Sequence, residues 1–152
     1  DIEWLVYWRS GNELFLVSKD ILDCQPYDMH STRIWWEKCS LNQWLNNTFI
    51  NEAFTEEEQK LILGHDEEKI FLLNLFDAGK SFVSGEEKIC EATPYAQANG
   101  LRLDEEMGAY RWWIVDDRGD CRFMPFDDEY SVVGTADYIG VRPAIRISNF
   151  GK

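Results

Sequence analysis

Two helix-start signals follow one another in the first half of this chain, and strand-like text surrounds them on both sides. Ser40-Leu41-Asn42-Gln43 has the form of a capping box, in which the Ser40 hydroxyl accepts from the Gln43 amide and the Gln43 side chain reaches back. Leu41, Trp44, Leu45 and Phe49 then keep helical spacing. Thr55-Glu56-Glu57-Glu58 opens a second short helix carrying Leu61 and Ile62, with Gly64 as its stop. The three glutamates of its first turn suit the positive end of a helix dipole.

The remaining text has mostly the period of strands. Ile2, Trp4, Val6 and Trp8 alternate, Arg9 to Asn12 is turn chemistry, and Glu13 to Val17 returns, which predicts an opening hairpin. Residues 18–32 read as irregular. Ile70 to Leu73 is a short buried run, and Thr93 to Gly100 makes one helical turn closed by glycine. Residues 111–115 and 121–124 form a hairpin around an acidic loop, 116–120. Ile139 to Ile147 alternates as a last strand, in which Pro143 lacks an N–H and predicts an edge position or a bulge. Two helices between strands, with no β-α-β alternation, predict an α+β fold: two short helices packed on a twisted antiparallel sheet. No internal repeat divides the sequence, so residues 1–152 read as one domain. Seven Trp, nine Phe and six Tyr supply a core of large, rigid pieces.

Charge narrows the partners. With 28 acidic against 15 basic residues the net charge is −13, and no local Lys/Arg cluster offsets it. That sign repels phosphate backbones and anionic membrane surfaces, which excludes nucleic acid as the main partner. No apolar run approaches the roughly 20 residues that span a bilayer, so direct membrane insertion is not expected. The sequence opens at Asp1 without a leader, and we expect it to be one part of a larger chain. Cys24, Cys39, Cys90 and Cys121 are widely spread with no C-x-x-C, which argues against a zinc ribbon or a thioredoxin-type pair. One or two bridges among three pairings stay open, with buried free thiols preferred.

Five blocks of this text, in order, carry a resemblance. They are Trp36-Glu37-Lys38-Cys39-Ser40-Leu41-Asn42-Gln43-Trp44-Leu45-Asn46, Phe71-Leu72-Leu73-Asn74, Thr93-Pro94-Tyr95-Ala96, Trp112-Trp113-Ile114-Val115-Asp116 and Gly140-Val141-Arg142-Pro143-Ala144. Together they resemble an uncharacterised family of bacterial domains, common in Gram-positive gut organisms. Its pattern runs W-x-x-S-S-L-R-x-W-L-N, F-L-L-S, T-x-Y-A, W-W-L-R-S and G-V-R-P-A. That family is similar to C-type-lectin-like folds of the kind found in sulfatase-modifying enzymes and phage tropism proteins. The resemblance therefore implies a C-type-lectin-like fold, and no activity. Here Cys39 stands for a family Ser, Asn42 for an Arg, and Val115-Asp116 for Arg-Ser. The apolar frame is kept while polar positions drift.

Chemistry is sparse by comparison. Asp116, Asp117 and Asp120, with Asp127, Asp128 and Glu129 farther on, are oxygen ligands of the kind calcium takes, but they fit no EF-hand spacing and read better as a solvated acidic surface. Arg118-Gly119-Asp120 is an adhesion-type triplet of a sort that turns produce by chance. Trp112 and Trp113 point to opposite faces of a strand; core packing is preferred for both, over a ligand platform for one. Trp36 belongs to the first block and reads as structural, which leaves Trp35 as the freer ring. His30 and His65 have no metal-spaced partner, and no nucleophile elbow, phosphate loop or H-E-x-x-H occurs. Asn46-Asn47-Thr48 is a glycosylation sequon inside the first helix, and reads as chance.

The expectation is a non-catalytic recognition module with no metal and no cofactor, binding a protein or carbohydrate ligand through its late loops. The candidate residues are Trp35, Asp116, Asp117, Arg118, Asp120, Asp127, Asp128, Tyr130 and Tyr138, since loops on a rigid scaffold carry recognition. A bacterial cell-surface, secreted or phage-associated setting fits. The alternatives are a degenerate sulfatase-modifying-type oxidase, a metal-dependent hydrolase using the acidic loop, and a structural spacer.

Overall fold

A computed structural model of the chain describes residues 1–29, 34–64, 68–80, 89–116, 121–124 and 137–149. The opening hairpin is present: β1 (Trp4–Ser10) and β2 (Glu13–Ser18) pair antiparallel with Ser10 opposite Glu13. Gly11 and Asn12 make the two-residue turn, and Gly11 has φ 55°, where a side chain would be strained. The register slips between Val6 and Trp8, so Tyr7 is the extra residue of a bulge. This slip breaks the predicted alternation. Ile2 and Trp4 pack on one apolar cluster and Leu5 and Tyr7 on another, while Val6 and Trp8 are exposed.

The single antiparallel sheet expected from the sequence is in fact two principal sheets. The first has the order β1-β2-β11-β4, with β5 also on β11. Here β11 is Ala144–Ser148, β4 is Ile62–Leu63 and β5 is Ile70–Phe71. The second has the order β3-β10-β8-β9, from Asp23–Gln25, Ile139–Val141, Trp112–Val115 and Cys121–Met124. Within it β10 runs parallel to β8, the one departure from antiparallel pairing among the described strands. A small ribbon of β6 (Leu103–Asp104) and β7 (Ala109–Tyr110) completes the strands. The architecture is α+β.

The last predicted strand is two strands in two sheets. Arg142 and Pro143 carry the chain from β10 to β11, and β11 lies between β2 and the β4/β5 pair rather than at an edge. Pro143 sits at the crossing, outside either ladder, where its missing N–H costs nothing and its carbonyl accepts from Ser18 N. Arg142 is fully buried, donating to the carbonyls of Ser18 and Lys19 with its guanidinium 4.9 Å from the Trp112 ring centre. A Cβ at Gly140 would meet the Arg111 carbonyl and Ile21 Cγ2 at 2.7 Å, so no other residue fits that position undisturbed. The Gly-Val-Arg-Pro-Ala text is the joint between the sheets.

The first helix runs as α1 (Ser40–Trp44), a π-helical segment Leu45–Phe49 and α2 (Ile50–Ala53). Its cap differs from prediction. Cys39 is the N-cap, its sulfur accepting from Asn42 N at 3.4 Å. Ser40 is instead taken by the preceding loop, receiving Met29 N on its hydroxyl and giving its own N–H to Asp28. Thr55 and Glu58 form the predicted box at the start of α3 (Glu56–Leu61). That helix stops before Ile62, which is buried and enters β4, whereas Leu61 is exposed. The sequence reading also missed β3 and the short helix α4 (Leu75–Lys80), which Asn74 opens by accepting from Asp77 N. Helix α5 (Pro94–Ala98) falls within the predicted turn, and the structure shows Thr93 as its N-cap, accepting from Ala96 N.

Apolar residues alternate between two cores. Trp113, Val115, Phe123 and Ile145 pack with Leu41, Leu45 and Phe49 of the first helix. Trp112, Ile114, Met124 and Ala144 pack with Ala78 of α4 and Ala96 of α5. Strands covered on both faces read as continuous apolar runs, which is why Trp112-Trp113-Ile114-Val115 shows no polar side. Both tryptophans are fully buried, so neither is a ligand platform.

Candidate functional site

The first helix is rich in amides at i, i+4 spacing, a pattern that packing alone does not ask for. Asn46 Nδ2 donates to the Asn42 carbonyl, Asn47 Nδ2 to that of Gln43, and Asn51 Nδ2 to that of Asn47. These side chains share helix carbonyls with the backbone, each carbonyl having two lone pairs. Over the same stretch the backbone takes π geometry, Leu45–Phe49, a distortion that recurs at functional sites.

Asn46 then ties the helix to the first sheet. Its Oδ1 accepts from Lys69 N at 2.8 Å and Ile70 N at 2.9 Å, and its Nδ2 donates to the Ile70 carbonyl at 2.9 Å. One side chain thus pairs with β5 as a neighbouring strand would. Asn42, buried beside it, gives its amide to the Trp36 carbonyl and receives Asn46 Nδ2 on Oδ1. The Trp36 indole closes the ring by donating to Glu68 Oε1 at 2.7 Å. With Nδ2 bonded to the Asn42 carbonyl, Asn42 Oδ1 and the Ile70 carbonyl, a glycan on Asn46 would break this clasp.

Between this clasp and the sheet lies a cleft of about 690 Å³. Phe15, Leu63 and Phe71, all half-buried, form its apolar part. Gln43 and Asn47 stand exposed at its rim with Glu37, while Glu68 and Arg146 project from the sheet side. Among the described residues Arg146 makes one long ion pair, 3.5 Å from Glu13, and lies 6.0 Å from the Phe15 ring centre. The cleft therefore mixes directional hydrogen-bonding groups with apolar surface, the makeup of a site that holds a ligand by contact. The sequence reading missed all of these residues. The amide ladder 42/46, 43/47, 47/51 was visible in the text and is the signal that pointed to them.

A second, smaller cleft of about 370 Å³ includes one predicted residue, Tyr138, with Arg102, Asp104 and Arg111. Tyr138 is 63% exposed. Arg111 pairs with Asp104, sits 4.7 Å over the Phe123 ring, and has a buried Nε with no partner among the described residues. The Met107 amide, with the Arg111 guanidinium and the Glu106 amide, holds the Asp104 carboxyl below the usual carboxylate range.

The predicted residues do not form one patch where they are described. Trp35 is exposed just before the turn Trp36–Lys38, on the helix side. The parallel pairing of β10 with β8 sets Tyr138 near Arg111, and Asp116 follows the far end of β8, about 16 Å along the strand. Asp116 is largely covered and lies 3.5 Å from Arg122. Asp117, Arg118, Asp120, Asp127, Asp128 and Tyr130 lie outside the described residues, as does Glu129. Among the described residues no group of three or more His, Cys, Asp or Glu is placed to hold a metal ion, and no helix is long and apolar enough to cross a membrane.

Among the described residues no cysteine is joined in a disulfide. Burial pushes Cys39 up to about 12 and Cys24 and Cys90 to about 11, so each is protonated at neutral pH and a poor nucleophile.

No curated protein and no solved structure matches the chain. Residues 11–68 match the family model described as a domain of unknown function, DUF6273. The matched stretch begins at the hairpin turn and ends at Glu68, so it takes in the helix, Trp36 and the amide ladder: over that span the chain is similar to an uncharacterised domain family.

Proposed function

We propose that this domain is a non-catalytic recognition module, a C-type-lectin-like frame that holds a protein or glycan ligand and forms part of a bacterial cell-surface or phage-associated protein. The observation that carries this reading is the cleft between the first helix and the first sheet. Its wall is fixed by Asn42, Asn46 and the Trp36–Glu68 bond, while Gln43 and Asn47 stand exposed at the rim. A rigid wall with exposed amides spends little ordering entropy on binding. Tyr138 and the Arg111–Asp104 pair offer a second contact region, and Trp35 a third. The raised thiols support binding over a cysteine-based oxidase, since such chemistry needs a thiolate.

The test is a binding screen of the purified domain on glycan and protein arrays, repeated with Gln43→Ala/Asn47→Ala. Retained ligands should lose at least roughly tenfold in affinity while the thermal midpoint moves by less than about 2 °C, because both side chains are exposed. Undiminished binding by the double variant would refute the placement. An array without any retained ligand would favour the spacer reading.

A further inference from the structure

Resting on that reading, we infer that the cleft docks a basic segment of a protein partner, with a lysine or arginine stem on the apolar floor and its head among the rim oxygens. Hydrogen-bonding capacity is left open along the cleft. Glu37 has no hydrogen-bond or ion-pair partner among the described residues, and Glu68 uses only Oε1, on the Trp36 indole. Asn47 uses one Nδ2 hydrogen on the Gln43 carbonyl and keeps its oxygen, beside one remaining N–H, for the cleft. Gln43 does the same with a longer bond to the Lys38 carbonyl at 3.4 Å. Among the described lining residues two carboxylates, Glu37 and Glu68, therefore face one cation, Arg146, whose charge is offset by Glu13, and the two amide oxygens add further acceptors. A ligand that satisfies this set is a donor bearing positive charge.

Two further features agree. Phe15, Leu63 and Phe71 give the hydrocarbon stem of lysine or arginine an apolar surface, as long cationic side chains use elsewhere. The net charge of −13 steers a cationic partner toward the domain and turns an anionic one away. Carboxylates in water lose much of this attraction to salt, so affinity should fall as ionic strength rises past the range where the Debye length is about 10 Å.

The experiment is fluorescence anisotropy with three probes: a labelled peptide alternating lysine and leucine, its glutamate-for-lysine counterpart, and labelled cellotetraose. Each is measured on the wild-type chain, on Glu37→Gln/Glu68→Gln, and on Glu3→Gln/Glu91→Gln. Glu68→Gln keeps an acceptor for the Trp36 indole, and the last pair removes the same charge from exposed positions that line neither cleft. The lysine peptide should bind the wild type and lose roughly tenfold on the cleft variant, at about threefold per carboxylate, with less than about twofold change on the distant pair. Equal losses on both variants would overturn the inference, since the net field and not the cleft would then do the attracting. So would preference for the glutamate peptide, or binding by no probe. Cellotetraose binding that the cleft variant weakens would also overturn it while leaving the recognition reading intact; that reading falls only with the array result.

Discussion

Replacing Asn46 by alanine should unfold the clasp locally and weaken the whole domain. The substitution removes an acceptor from Lys69 N and Ile70 N and a donor from the Ile70 carbonyl, and Ile70 is fully buried. A buried backbone group left without a partner costs about 1–3 kcal/mol, so the two groups of Ile70 together are worth about 2–6 kcal/mol. The half-exposed Lys69 N–H can turn to water and adds little. Taking about 4 kcal/mol, and roughly 2–4 °C per kcal/mol for a chain of this size, the midpoint falls by about 8–16 °C. Against a usual total of about 5–15 kcal/mol this is a large share. Urea unfolding gives the free energy, and amide exchange at Ile70 reports whether protection is lost there first. A loss below about 1 kcal/mol with an unchanged denaturant slope would refute the claim that this side chain serves as a strand partner.

Other perturbations follow from the same geometry. Gly140→Ala forces a Cβ into the Arg111 carbonyl and Ile21, and should cost about 1–3 kcal/mol in urea unfolding. Arg142→Lys cannot reach both the Ser18 and Lys19 carbonyls from a buried site and should cost about 2–4 kcal/mol, with loss of cooperativity between the sheets in the same experiment. Cys24 and Cys39 should resist a thiol reagent at pH 8 until denaturant is added; rapid native labelling would contradict their burial. Their folded pKa values lie above the ordinary value of 9, so their protonated forms favour the native state below that pH. This contribution fades as pH climbs from about 9 toward 12, and alkaline unfolding curves should weaken there less in a Cys24→Ala/Cys39→Ala background.

Much of the frame was legible because local chemistry and tertiary packing agree. The Gly11-Asn12 turn, the Thr55 box, the helical turn within Thr93 to Gly100 and the β8–β9 hairpin each follow from a short text whose turn or cap residues have no better use. Ser40 failed as a cap because a loop distant in sequence, Asp28 and Met29, claimed its hydroxyl and amide. Pro143 misled in the opposite sense. A proline outside both ladders permits a sheet crossing, and a one-dimensional alternation cannot tell a crossing from an edge. The site was less legible than the fold for a related reason: its residues come from β2, the first helix, β4, β5 and β11, and only the strand pairing brings them together. The amide ladder was written in the sequence, but its meaning depends on Ile70, which lies 24 positions away.

The most direct measurement is a nuclear magnetic resonance titration that follows the side-chain amides of Gln43 and Asn47 while the lysine peptide or an array-derived ligand is added. Gln97 and Asn99, held by the Ala92 carbonyl and Asp23 beside the second core, serve as internal references. Gln43 and Asn47 should shift in proportion to occupancy while Gln97 and Asn99 stay in place. Saturable binding that moves Gln97 and Asn99 and leaves Gln43 and Asn47 unmoved would contradict binding in the cleft.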